Sequence, residues 1–138
     1  MTVHAGLLRL STRGDGDIVD LTEGVRRVLQ QAGADRGVVT VFVTGSTAAV
    51  TTMEYEAGGV ADLQRTLERL VPQAAEYEHN VRNHDTNAHA HVRAAIVGPS
   101  ESIPFSGGEL ALGTWQQLVL LDFDDRPRER TVSVHVVA

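Results

Sequence analysis

Cysteine is absent from the 138 residues. Disulfides, thiolate nucleophiles and sulfur-ligated metals are thereby excluded, and any metal must be held by histidine, carboxylates and water. The same absence fits a cytoplasmic protein. Positive charge is in short supply: 12 basic residues face 18 acidic ones, for a formal net charge of −6. Such a surface releases few counterions from a phosphate backbone, which argues against nucleic acid as a partner. Long apolar runs are missing as well. No stretch approaches the ~18 residues of a membrane span, and the opening "MTVHAGLLRLSTRGDGD" lacks the charged start and apolar core of a signal peptide. The expectation is a soluble protein with no membrane partner that stays where it is made.

What remains is the composition of a globular protein, 42% apolar and 22% charged, in a length that one domain of roughly 100–150 residues uses up. We read residues 1–138 as a single domain without repeats or linkers. A first strand over about 3–12 ends at "RGDGD". A helix over about 21–32 follows, with Asp20 as N-cap, Glu23 completing a capping box and Gly33 as the stop. "GVVTVFVTGSTAAVTTMEYE" reads as two strands, about 38–44 and 47–54, joined in a hairpin at Gly45-Ser46. A second helix spans about 58–71, up to Pro72, and a third starts near Asn87 and stops at Gly98-Pro99. The rest is β-rich, with Trp115 and Gln116 in a strand running from Thr114 to Phe123. The order argues an α+β domain with about three helices and much antiparallel sheet.

The stretch "YEHNVRNHDTNAHAHVRAAIVGPS" carries four of the six histidines, His79, His84, His89 and His91. In regular helix His89 and His91 stand about 200° apart and cannot share one ion. In an extended or N-cap turn both imidazoles fall on one side and suit zinc or a similar ion. Glu76, Glu78 and Asp85 lie close enough in sequence to complete or orient such a shell. A helix start at Asn87 presents free N–H groups, which suit the phosphate of a small phosphorylated metabolite. His84, in the most irregular part, is the weakest candidate. The alternative is a solvated polar loop, at even weight on spacing alone.

Two other places could contribute. "TGSTAAVTTMEYE" puts the hydroxyls of Thr44, Ser46 and Thr47 around a glycine and ends in Glu54. "GTWQQ" puts the one indole of the chain beside two amides, where Trp115 either packs in the core or meets a ligand.

These motifs resemble the YjbQ-like family, also called the secondary thiamine-phosphate synthase family. "YEHN", "NAHAHVRAAIVGPS", "LALGTWQQLVLLDFD" and "RPRER" are similar to its elements and occur in the family's order. The resemblance implies a compact α+β domain on a small antiparallel barrel-like sheet, assembled as a homotrimer. It also implies a weak thiamine-phosphate synthase activity, which joins a pyrimidine methyl diphosphate to a thiazole phosphate and releases diphosphate. Carried over by residue, it assigns catalytic roles to His79, His89, His91 and Glu54, with the three histidines as ligands of a divalent metal, zinc or magnesium. Thr47, Asn87, Ser100, Trp115, Gln116 and Arg128 are the candidate substrate-binding side chains, Arg128 as donor to an anionic group. The sequence departs from the family at Gly45, where a histidine is common, and at Thr52-Met53-Glu54-Tyr55, where Ile-Asn-Glu-Asn is common. The alternative reading is a non-catalytic trimeric metabolite-binding module.

Overall fold

A computed structural model describes Met1–Ala138. Strand β1 (Val3–Thr12) alternates exposed and covered residues, as a period of two requires. The "RGDGD" turn leads not directly to a helix but to a short strand, β2 (Asp17–Asp20), and then to α1 (Thr22–Ala32). Asp20 accepts the Thr22 N–H at 2.9 Å, so the expected aspartate does serve the helix start, from one position further out. No capping box forms: Leu21 is the N-cap residue, and Glu23 pairs with Arg26 instead.

Strands β3 (Arg36–Val43) and β4 (Ala48–Met53) are not a hairpin. β3 pairs with the later strands β5 (Ser100–Ser106) and β8 (Arg128–Val137), whereas β4 pairs with β7 (Gln117–Asp122). The Gly45-Ser46 step therefore carries the chain from one sheet to another. The reason shows in burial: β3 alternates, with Val39, Val41 and Val43 inward, while Ala48, Ala49 and Val50 are buried in succession and need cover on both faces.

One sheet has the order β1-β8-β3-β5-β6, with β6 at Glu109–Leu110, and the other β2-β7-β4. All pairings are antiparallel, and the curled sheets form a barrel-like half-shell in a single α+β domain. The smaller sheet has a core on each side. Leu118 and Leu120 of β7 join α1 and the inner face of the larger sheet, while Val119, Leu121 and Phe123 pack under α2 (Ala57–Leu70) and α4 (Ala88–Val97). The count of helices is four rather than three, because Glu78–Asn83 forms a short α3. No helix is long and apolar enough to cross a membrane.

Two glycines bring α1 and β1 into close contact. A Cβ on Gly6 would lie 2.7 Å from one γ-methyl of Val28 and 2.9 Å from the other, and a Cβ on Gly24 would lie 2.8 Å from Leu8 Cδ1. Val28 is β-branched and cannot swing away as Leu8 can. Gly6→Ala is therefore expected to destabilise the fold by about 1–3 kcal/mol through overpacking, read as a lower urea midpoint at unchanged m-value.

Candidate functional site

The chain leaves the small sheet at Asp122 and enters the large one at Arg128, and a cluster of charged and polar side chains gathers at this corner. Asp122 and Asp124 share one face of the extended segment because they are two residues apart. Arg130, on β8, reaches back with Nε donating to Asp122 Oδ2 at 2.7 Å and Nη2 to Oδ1 at 2.8 Å, a bidentate pair between the sheets. Arg130 is 4% exposed and Asp122 fully buried. The remaining acceptor capacity of Asp122 is filled by Thr12 at 2.5 Å and the Asp124 N–H at 3.1 Å, while Arg130 Nη2 also donates to the Thr47 hydroxyl at 2.6 Å. Asp124 in turn accepts from Thr47 at 3.2 Å and from Arg128 Nη1 at 3.0 Å. Burial alone would raise the Asp122 carboxyl; the hydrogen bonds from Arg130, Thr12 and the Asp124 N–H outweigh it and hold the group below the ordinary carboxylate value. For Asp124 burial is likewise outweighed, by the Asp125 N–H, Asn87, Arg128 and Thr47.

This corner fixes the start of α4. Asn87 Nδ2 donates to Asp124 Oδ1 at 3.4 Å, and Thr86 donates to Asp125. Asn87 does not cap through its side chain; the Ala88 N–H is taken at 3.0 Å by Oδ1 of Asn80, from α3. The same Asn80 oxygen lies 3.1 Å from His79 Nδ1. An amide oxygen only accepts, so His79 carries its proton on Nδ1 and keeps the Nε2 lone pair free. His91 sits one turn beyond Asn87, and its ring centroid is 4.8 Å from that of His79.

His89 takes another direction. Both His89 and His91 lie in the regular first turn of α4, the geometry in which i, i+2 histidines diverge. His79 and His91 come together, and nowhere in the chain do three or more His, Asp and Glu side chains gather as one ligand set. The three histidines therefore do not converge on one ion within a single chain. His89, 2% exposed, lines a cavity of about 290 Å³ with Asp15, Gln64, Arg93 and Phe123. Its Nδ1 and the Asn87 Oδ1 are buried without a hydrogen-bond partner. Burial, then the charge of Arg93, holds the His89 imidazole below its ordinary value despite Asp125, Glu68 and Asp15.

The other candidates lie apart. Trp115 is not in a strand: β7 begins at Gln117, the Gln116 N–H closes a turn on the Gly113 carbonyl, and the indole is 72% exposed. Gln116 accepts from Gly113 N–H and donates to Thr52. Glu54 is exposed just past β4. In the β4–β7 register Ala48 faces Asp122 and Met53 faces Gln117, so Glu54, Trp115 and Gln116 lie at the far end from Thr47 and Arg128, at least roughly 17 Å away. Ser100 is exposed at the start of β5 opposite Phe42, and His84, at φ 52°, ends α3. Arg128 is one-third exposed and spends one N–H on Asp124. Position 45 is not merely empty: a Cβ there would stand 2.7 Å from Arg130 Nη1, on a backbone at φ 139°.

Sequence reasoning passed over Asp122, Asp124 and Arg130, which lie at the strand ends on either side of the "DDRPR" turn. The signal was present as two i, i+2 charge pairs, Asp122/Asp124 and Arg128/Arg130, flanking that turn on extended segments. It also passed over Arg93, one turn beyond His89 on the same helical face.

The two-sheet shell, the four helices and the acid, arginine and histidine corner define a class of small single-domain α+β proteins. Residues 7–138 match the family described as "UPF0047 protein YjbQ-like". A UPF0047 protein of Methanothermobacter thermautotrophicus is 36% identical over 136 residues, covering 99% of this chain and 93% of that protein. One from Mycobacterium tuberculosis is 43% identical over 114 residues, covering 80% of this chain and 82% of the relative. The crystal structure of a hypothetical protein from Aeropyrum pernix superposes with a TM-score of 0.90 at 34% identity, covering 97% of this chain and 98% of that one. That of a YbjQ-like protein of unknown function from Sulfolobus solfataricus gives 0.88 at 28%, covering 98% of each. The chain belongs to the UPF0047, or YjbQ-like, family.

The depressed Asp122 and Asp124 bind fewer protons in the folded than in the unfolded chain. Their stabilisation is complete above the unfolded value of about 4 and is lost as pH falls through the folded values. Urea midpoints are expected to drop steeply below pH about 4, and Asp122→Asn to flatten that limb. Arg130→Met, which strands a buried carboxylate, is expected to cost about 3–5 kcal/mol at neutral pH.

Proposed function

We propose that the chain binds a small phosphorylated metabolite beside a divalent metal at the α3–α4 corner, with a weak thiamine-phosphate synthase-type transfer as its chemistry. The observation that carries this reading is the His79–His91 pair: rings 4.8 Å apart, with His79 oriented by Asn80 so that Nε2 is free. Two neutral imidazoles suit zinc, and the remaining positions would be open to ligand oxygens or to donors from another chain. A metal would supply the positive charge that a wall containing Asp124, Asp125 and a half-engaged Arg128 lacks. In the transfer, the thiazole nitrogen would attack the pyrimidine methylene carbon as the carbon–oxygen bond to diphosphate breaks. Arg128 would hold the anionic group through the N–H groups it does not spend on Asp124.

The same reading takes the chain as a homotrimer. It is supported by the outer face of the large sheet, where Leu7 and Phe42 flank Ser133 and Val3 and Val38 flank Val137, all four exposed apolar side chains. It is supported too by Trp115, whose exposed indole lies at the far end of the small sheet. A neighbouring copy could bring Glu54, Trp115 and Gln116 to the histidine corner that they do not reach within one chain.

One observation favours a non-catalytic binding module: Arg130 Nη1 lies against the place where a side chain at position 45 would begin. The imidazole implied by the family resemblance has no room here while Arg130 keeps its position.

The test is metal analysis of protein dialysed against zinc or magnesium, followed by assay of the two thiamine precursors. Stoichiometric metal that His91→Ala loses is expected, with product formation above the His91→Ala background. Metal binding without turnover would select the binding module; no metal binding, or binding indifferent to His91→Ala, would overturn the metal site. Light scattering is expected to give three times the chain mass, and Phe42→Asp, which puts a charge beside Leu7 on the apolar face, the mass of one chain.

A further inference from the structure

The cavity that His89 lines lies on the other side of the small sheet from the Asp122–Arg130 pair. Its floor is Phe123 and the buried His89, and its rim is the β1–β2 turn at Asp15 and Gly16, α2 at Gln64, Arg65 and Glu68, and Gln73 beyond it. Gln64 Nε2 donates to the Gly16 carbonyl at 2.9 Å, which joins the turn to α2 and leaves the amide oxygen free. Arg93 is the buried cation of the site, its side chain 8% exposed. Nε and Nη2 donate to the Val71 carbonyl and Nη2 to Glu68 at 2.6 Å, while Nη1 makes no hydrogen bond within the chain. A guanidinium more than nine-tenths buried, lining a cavity with two N–H groups unspent, is a donor prepared for an oxyanion.

The charge balance decides which oxyanion. The lining charges are Arg65 and Arg93 against Asp15 and Glu68, two of each sign. The whole chain carries −6. A phosphate dianion would add two negative charges to a neutral site on an acidic protein. A carboxylate paired with an ammonium adds none. Acceptors for the ammonium also line the cavity: Asp15, whose backbone the turn holds at φ 52°, and Gln64 with its free oxygen. Ile18, Leu67 and Phe123 provide an apolar wall for a short side group. At about 290 Å³ the space is at the small end of ligand pockets, which run from about 300 Å³ upwards.

We propose that this cavity is a binding site for a free α-amino acid or a zwitterion of that size, with its carboxylate on Arg93 Nη1 and its ammonium between Asp15 and Gln64. The site is separate from the His79–His91 corner, and its occupancy does not depend on a metal there.

The experiment is ¹H–¹⁵N NMR of the full chain in metal-free buffer, titrated with each proteinogenic L-amino acid in the millimolar range. The N-acetyl derivative and the amine analogue of each binder, and inorganic phosphate, serve as comparisons. At least one amino acid is expected to shift the amides of Gly16, Gln64 and Gln73, and both analogues to bind at least tenfold more weakly. Asparagine adopts the left-handed backbone as readily as aspartate, so Asp15→Asn removes the charge and leaves the turn; it is expected to weaken binding about tenfold, in line with a charge-assisted hydrogen bond. The proposal is overturned if no amino acid shifts these amides, if phosphate displaces the binder at equal concentration, or if Asp15→Asn binds as well as the parent.

Discussion

A guanidinium locked onto a carboxylate, with no water around either, holds the two sheets of this protein together at their shared corner. Taking two charges out of water costs several kcal/mol each, and mutual attraction recovers that only when geometry is good and every leftover lone pair is occupied. Arg130 and Asp122 meet both conditions through Thr12, Thr47 and the Asp124 backbone. The pair adds position more than stability. With β7 and β8 tied, Asp124 has one place to be, Asn87 is drawn to it, and α4 starts where Asn80 can accept its first free N–H. The orientation of the histidines descends from that sequence of contacts.

Much of the architecture could be read along the chain, and the failures have a common physical origin. Periodicity located β1, α1, α2 and the end of α4 because each signal lies within one element. Pairing is not local. Gly45-Ser46 has the composition of a hairpin turn, yet β3 and β4 find their partners roughly sixty to a hundred residues away, and only the doubly buried Ala48–Val50 hinted at it. Trp115 read as part of the apolar strand, either packed in the core or against a ligand, but the Gly113–Gln116 turn ends before β7 and leaves the indole exposed. The histidines were recognisable as a group, the helix start at Asn87 was legible as well, and the geometry separating His89 from His91 follows from helical spacing; what spacing could not supply was the approach of His79 from α3 to His91. Asp122, Asp124 and Arg130 were hidden by the charged turn they flank, since a buried ion pair and a solvated charged loop have the same composition.

The residues singled out by motif fall on two ends of the small sheet, and the strand length keeps them apart. β4 is an extended strand of six residues whose first three are buried. A single copy thus presents two incomplete sets, one rich in imidazole, acid and guanidinium, the other in indole, amide and Glu54. The cavity under α2 is a third environment, reached from the opposite side of α4. A helix of ten residues is the common wall for the histidine pair and for the cavity, so the two chemistries are neighbours without being a single site.

Positions 45 and 130 are sterically coupled. A side chain can enter at 45 only once the Arg130 guanidinium has withdrawn, and withdrawal leaves Asp122 buried without its partner. Installing an imidazole at the corner therefore takes two coordinated changes, one at position 45 and one that moves the guanidinium without stranding its buried carboxylate.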